Sequence, residues 1–276
     1  MGNVRLRTIE HGVIWMERAK HFEAVALAVS MAFLGVAGAA DAPAAKKIVK
    51  AGTFCETQDA KECQEAVTPQ LILEHFKQGN ARFASGAGTR RNYLRQVEAT
   101  SAGQYPLASV VSCIDSRVPA EIVFDQGIGD LFNARVAGNI VDEDILGSLE
   151  FASKVAGAKL IIVLGHTSCG AIKGACDDVK LGNLTALLAK IKPAVDKVPN
   201  DGTERSSKNY AFVEKVAEQN VRLTVEAIRA KSPVLKEMED KGEIKIVGAM
   251  YDVNTGKVKW YDEAVSTTPA PAKKKS

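Results

Sequence analysis

The sequence predicts an α/β protein built on a mainly parallel β-sheet flanked by helices, and three observations carry that prediction. Two short, uninterrupted apolar runs with β-branched residues, 107–112 (LASVVS) and 160–164 (LIIVL), suit strands covered on both faces. Between them Asp142, Glu143 and Asp144 open a helical pattern through Ile145, Leu149, Ala152 and Val155 that Gly157 closes. Strand, helix, strand in that order implies a right-handed crossover between parallel strands.

In chain order, the apolar segment 24–34 (AVALAVSMAFL) follows Arg18 and Lys20 and runs into small residues at Ala37 and Ala39. It reads as a cleavable secretory signal over 1–39, with Met16 an alternative start. It falls short of the roughly 20 apolar residues of a spanning helix, so no stable membrane anchor is expected and the mature protein is expected in the periplasm or secreted. Residues 40–66 form a polar extension holding Cys55 and Cys63, for which a local disulfide is expected in an oxidising compartment. Thr68-Pro69 reads as an N-cap with proline at the first helical position, opening a helix whose Leu71, Ile72, His75 and Phe76 share a face before Gly79. Helices around 210–230 and 233–241 precede a strand in 244–253, the turn Asn254-Thr255-Gly256 and a returning strand at 258–261. The tail ends in TTPAPAKKKS, which has nothing to bury and reads as disorder over 264–276, leaving one domain at 67–263.

With 276 residues, 46% hydrophobic and 25% charged, the chain is neither fibrous nor wholly disordered. Its 36 Lys and Arg against 33 Asp and Glu give a net charge of +3, too weak and too evenly spread for a nucleic-acid groove. Five cysteines are too few for a disulfide scaffold, so each needs its own explanation. Of four histidines the signal would carry away His11 and His21, leaving His75 and His166.

Two clusters carry chemistry. Cys113-Ile114-Asp115-Ser116-Arg117 follows the first apolar strand, and in extended chain its thiol, carboxylate and guanidinium project to one side. His166-Thr167-Ser168-Cys169 follows the second and opens a helix, on which histidine and cysteine three apart turn toward a common point. Both lie at carboxyl ends of parallel strands, where open α/β sheets place their ligand sites. Two thiolates and one imidazole form the Cys₂His set of catalytic zinc sites, with the fourth position left open. On the residues alone two blander readings stand: cysteines as small buried hydrophobes, or Cys113 and Cys169 joined in a disulfide. Asp115 and Arg117 could likewise be an ordinary ion pair.

C-x-D-x-R followed after about fifty residues by H-x-x-C-G resembles the β-class carbonic anhydrases. The resemblance extends, in order, through Gly79-Asn80-x-Arg82-Phe83, Arg117-Val118-Pro119, Arg135-Val-Ala-Gly-Asn139, Ser148-Leu149-Glu150-Phe151, Val163-Leu164-Gly165-His166 and Ile246-Val247-Gly248. It implies one Zn²⁺ per subunit on Cys113, His166 and Cys169. It also implies reversible hydration of carbon dioxide to bicarbonate and a proton, by a hydroxide held on zinc and oriented by an Asp115–Arg117 dyad. Gln104 matches a glutamine that hydrogen-bonds bicarbonate, Gly170 would offer a backbone N–H beside the metal, and Phe132 and Phe151 fall where the family shapes its carbon dioxide pocket. Such pockets form at subunit boundaries, so a homodimer or homotetramer is implied.

Rival readings are a carbon disulfide or carbonyl sulfide hydrolase on the same fold, and a non-catalytic zinc- or bicarbonate-binding protein. The latter would be expected to lack Asp115 or Arg117. A thiol oxidoreductase would need a Cys-x-x-Cys motif, which the chain lacks. Some family members carry an inhibitory bicarbonate pocket with tryptophan and glycine where this chain has Val110 and Ser112, so none is expected here.

Overall fold

A computed structural model describes residues 60–261. The signal at 1–39, Cys55 and the tail at 264–276 lie outside the described residues.

One five-stranded sheet organises these residues in the order β2-β1-β3-β4-β5. Its strands are β1 (Ala108–Ser112), β2 (Leu131–Arg135), β3 (Leu160–His166), β4 (Lys245–Tyr251) and β5 (Val258–Tyr261). The first four run parallel and β5 returns antiparallel to β4 through the Asn254-Thr255-Gly256 turn. Every residue of β1 and β3 is buried, as their unbroken apolar runs require.

The sheet separates two cores. Side chains alternate across it, so Ala108, Val110, Leu160, Ile162 and Leu164 face one layer while Val111, Cys113, Ile161 and Val163 face the other. The first layer is covered by α1 (Ala60–Ala66), α2 (Pro69–Ala84) and α4 (Ala120–Val123), and the second by α5 (Glu143–Glu150), α6 (Gly170–Cys176), α7 (Gly182–Lys197), α8 (Tyr210–Lys231) and α9 (Pro233–Asp240). A further helix, α3 (Tyr93–Thr100), has no buried residue. Each aliphatic side chain so buried contributes about 1.5–3 kcal/mol, which makes the two faces the main source of stability.

The cap read at Thr68 holds, and of the three opening acids Asp142 is the cap of α5. Thr68 accepts from the Leu71 N–H with Pro69 at the first helical position, and Asp142 accepts from the Ile145 N–H. On α2 the buried stripe is Ile72, Leu73, Phe76, Gly79 and Asn80, so Leu71 and His75 sit at its half-buried edge rather than on its centre. Gly79 is obligatory there: a Cβ would lie 2.0 Å from the Phe124 carbonyl oxygen. α1 belongs to the folded body, since Gln64 donates to the Pro106 and Ala156 carbonyls and Lys159 to those of Glu65 and Val67.

The helix expected to run from Asp142 through Val155 departs from the α-helical pattern at Phe151, where a π turn spans Phe151–Val155 before Gly157 (φ +80°) ends it. The wider turn shifts later residues off the 3.6-residue stripe, and Val155 is 71% exposed rather than packed.

Candidate active site

β1 delivers Cys113 directly after its last residue, and the chain then turns instead of staying extended. The Val118 N–H donates to the Asp115 carbonyl, and the Arg117 N–H to Asp115 Oδ1 at 3.0 Å. Arg117 therefore folds back on Asp115, corrected from the shared extended face that alternation predicts. Its Nε and Nη2 donate to Oδ1 at 2.9 Å and Oδ2 at 2.8 Å, a bidentate pair. The Asp115 side chain is 17% exposed and that of Arg117 51%, so the carboxylate faces inward with the guanidinium outside it. The guanidinium holds the Asp115 carboxyl well below the usual carboxylate range.

β3 ends on His166, buried, and α6 begins after Cys169, its N-cap. A helical i, i+3 relation was expected between them; the structure joins them by a tight turn in which Ser168 takes φ +56°. A non-glycine residue in that region costs about 1–2 kcal/mol. The turn is gripped from both sides: Thr167 N–H donates to the Tyr251 carbonyl, Thr167 Oγ1 accepts from Val253 N–H, and Ser168 N–H donates to Glu214 Oε1 at 2.9 Å.

The two turns bring Cys113, His166 and Cys169 together, all buried, with their ligand atoms within 4.8 Å of one another. The two sulfurs are 3.9 Å apart, so the disulfide reading does not describe this arrangement. His166 Nδ1 lies 2.9 Å from the Thr167 carbonyl oxygen and must donate to it, which leaves the Nε2 lone pair free. That Nε2 is buried without a hydrogen-bond partner, 3.9 Å from Asp115 Oδ2. A buried acceptor without a partner costs about 1–3 kcal/mol, and a cation between it and the two sulfurs would remove that cost. Tetrahedral zinc with sulfur at about 2.3 Å places two sulfurs about 3.8 Å apart, so the donor set fits. The Cys169 thiol lowers Cys113, while Cys113 and burial raise Cys169.

Arg135 and Gly138 fall in the Arg135–Asn139 stretch of the family resemblance, which does not say what they hold, and Asn220 carries no signal in the sequence. Arg135 on β2 donates to the carbonyls of Cys113 and Asp115, at 2.9 and 2.6 Å. Gly138 N–H points at Cys113 Sγ from 3.4 Å, and Asn220 on α8 donates to the Gly138 carbonyl at 2.7 Å. Gly138 has φ +72°, and a Cβ there would come within 2.5 Å of Ile191 Cδ1, so only glycine brings this amide to the sulfur.

The remaining expected site residues are placed as follows. Gly170 opens α6 beside Cys169 with nothing within 4 Å of where its Cβ would be. Phe132 and Phe151 meet edge to face at 6.3 Å and line a cleft of about 480 Å³ between β2 and α5, to which none of the three donors contributes. Gln104 is exposed in the loop before β1. Cys63 is buried on α1 and disulfide-bonded. Cys176 is a free thiol that burial pushes up to about 11, in keeping with an inert role.

An open α/β sheet with two thiols and an imidazole converging at the carboxyl ends of neighbouring strands defines a protein with a Cys₂His metal-type centre. The model of one family, described as carbonic anhydrase, matches residues 108–258 and spans all of these donors. Carbonic anhydrase 2 of Mycobacterium tuberculosis is 36% identical over 195 residues, covering 68% of this chain and 91% of that protein. Among solved structures, the β-carbonic anhydrase CafA of Aspergillus fumigatus superposes with a TM-score of 0.56 at 25% identity, covering 70% of this chain and 90% of that one. A tetrameric β-carbonic anhydrase of Sordaria macrospora shares the fold, with a TM-score of 0.53 at 23% identity over 69% of this chain and 96% of that one. The chain belongs to the β-class carbonic anhydrases and is an enzyme of that family.

Proposed function

We propose that this protein catalyses the reversible hydration of carbon dioxide to bicarbonate and a proton, using one zinc ion per subunit held by Cys113, His166 and Cys169. The observation that carries the proposal is the buried, partnerless Nε2 of His166 facing two thiols 3.9 Å apart. When bound, zinc supplies a Lewis acid that makes hydroxide available from water near neutral pH.

The chain's own residues then orient the reactants. Asp115 accepts a hydrogen bond from the attacking oxygen, which leaves a lone pair of that oxygen directed at the carbon of carbon dioxide. Arg117 keeps Asp115 ionised and, by occupying both carboxylate oxygens, keeps it from becoming a fourth ligand. The polar partner for bicarbonate would be Gln104, and Gly170 N–H would lie beside the metal. Phe132 and Phe151 would wall the carbon dioxide pocket at a boundary between subunits. Exposed Tyr93, Leu94 and Val97 on α3, with Leu94 82% exposed, support a homodimer or homotetramer. Zinc analysis with carbon dioxide hydration kinetics tests the reading, and turnover of carbonyl sulfide or carbon disulfide in place of carbon dioxide would favour the hydrolase.

We further propose export by the segment 1–39 to the periplasm or medium, with Cys55 and Cys63 joined there. Intact-mass measurement after alkylation without reduction should show both thiols protected; alkylation of both would refute the bridge. Among the described residues no helix is long and apolar enough to cross a membrane.

Proton export should rely on buffer. His166 serves as a ligand, and His75 is half-buried on α2 with its ring edge to Phe76, its pKa lowered first by burial and then by Arg82. A dedicated histidine carrier would sit near neutrality and open to solvent. At saturating carbon dioxide kcat should therefore rise strongly with imidazole-type buffer at fixed pH and ionic strength, while kcat/KM stays flat. Turnover independent of buffer, and lowered by His75→Ala, would make His75 the carrier.

A further inference from the structure

Glu214 lies on α8, 46 residues from the turn that it touches, and no motif marks it. It is half-buried, and its carboxylate oxygen accepts from the Ser168 N–H at 2.9 Å. Ser168 is the left-handed residue between His166 and Cys169, so its φ sets the direction in which two of the three donors point. Thr167 is secured by the last residue of β4, through the Tyr251 carbonyl, and by the Val253 N–H two residues beyond the strand. Glu214 is the side-chain acceptor that fixes Ser168 from the opposite side, and its own helix is anchored by Phe212, Val213, Val216 and Ala217 in the core.

We propose that Glu214 is a positioning residue for the metal centre: by accepting from the Ser168 amide it locks the His166–Cys169 turn in the conformation that aims Nε2 and Sγ at one point. The role belongs to the acceptor and not to the negative charge. This inference rests on the zinc reading above.

The test uses the full-length protein, with zinc affinity measured by chelator competition and the absorption bands of the Co²⁺-substituted protein as a second readout. Glu214→Gln keeps an acceptor oxygen in place, whereas Glu214→Met keeps the size and loses the acceptor. E214Q should bind zinc within about threefold of the unaltered protein with the same Co²⁺ bands. E214M should bind about 10–100-fold more weakly, as expected for loss of a group that orients a ligand, with shifted bands. Should E214M not fold, Glu214→Asp, whose carboxylate is one methylene short, takes its place with the same expectation. Unaltered affinity and bands in E214M would overturn the proposal. So would E214Q as weak as E214M, since the effect would then follow charge. Failure of the unaltered protein to bind zinc would instead refute the site reading on which both stand.

Discussion

Cys169→Ser is expected to remove bound zinc and carbon dioxide hydration together, and Cys113→Ser and His166→Ala to do the same. Three protein ligands with an open fourth position leave no redundancy, and a ligand worth about 4 kcal/mol of binding is about 10³-fold in Kd. The buried setting sharpens the effect, because Cys113, His166 and Cys169 are 4%, 1% and 1% exposed and water cannot readily replace a missing donor. Metal content by elemental analysis and initial hydration rates by stopped flow should fall in parallel. A Cys169→Ser protein with full zinc and full rate would remove Cys169 from the ligand set.

Asp115→Asn should separate the two readouts. The carboxylate oxygens lie beside the donors without being among them, Oδ2 being 3.9 Å from His166 Nε2, so the metal should be retained. The asparagine amide can turn its NH₂ toward the attacking oxygen, and it cannot hold Arg117 with carboxylate strength. Hydration should fall on the order of 10²-fold in a zinc-replete protein. Because Arg117 keeps the Asp115 carboxyl far below its ordinary range, that loss should persist unchanged from weakly acidic to alkaline pH. Full turnover in zinc-replete Asp115→Asn would reduce the pair to a structural ion pair.

Where side chains repeat along the chain, the sequence was readable. The apolar runs of β1 and β3, the cap at Thr68, the acidic start of α5 and the hairpin ending at Tyr261 were legible because burial on both faces and terminal amides impose local patterns. β2 was not, since Leu131–Arg135 is a half-exposed edge strand whose mixed composition (LFNAR) lacks an apolar run. α3 and α7 were missed as well, α3 because it buries nothing that would print a stripe.

The donor set itself was legible as three residue types at two strand ends, but the geometry was not. Extended alternation and helical spacing both place the right side chains near one another for a wrong reason. The real devices are two turns, one closed by the Asp115 carboxylate and one by the left-handed Ser168. Glu214 acts on the second turn from 46 residues away and Asn220 on the Gly138 carbonyl from 82, and no local pattern marks a residue whose task is set by long-range packing; Arg135, which acts on the first turn from 22 residues away, falls in a motif that does not state its task. Gln104, Phe132 and Phe151 rest on the family resemblance, and the cleft that Phe132 and Phe151 line takes no wall from the three donors.

The most direct test of the central claim is elemental analysis of the purified full-length protein combined with stopped-flow carbon dioxide hydration before and after chelation. One zinc per chain, hydration that disappears with the metal, and recovery on adding Zn²⁺ back would agree with a Cys113–His166–Cys169 zinc enzyme. Hydration at full rate in protein stripped of zinc, or a zinc-loaded protein that does not hydrate carbon dioxide, would contradict it.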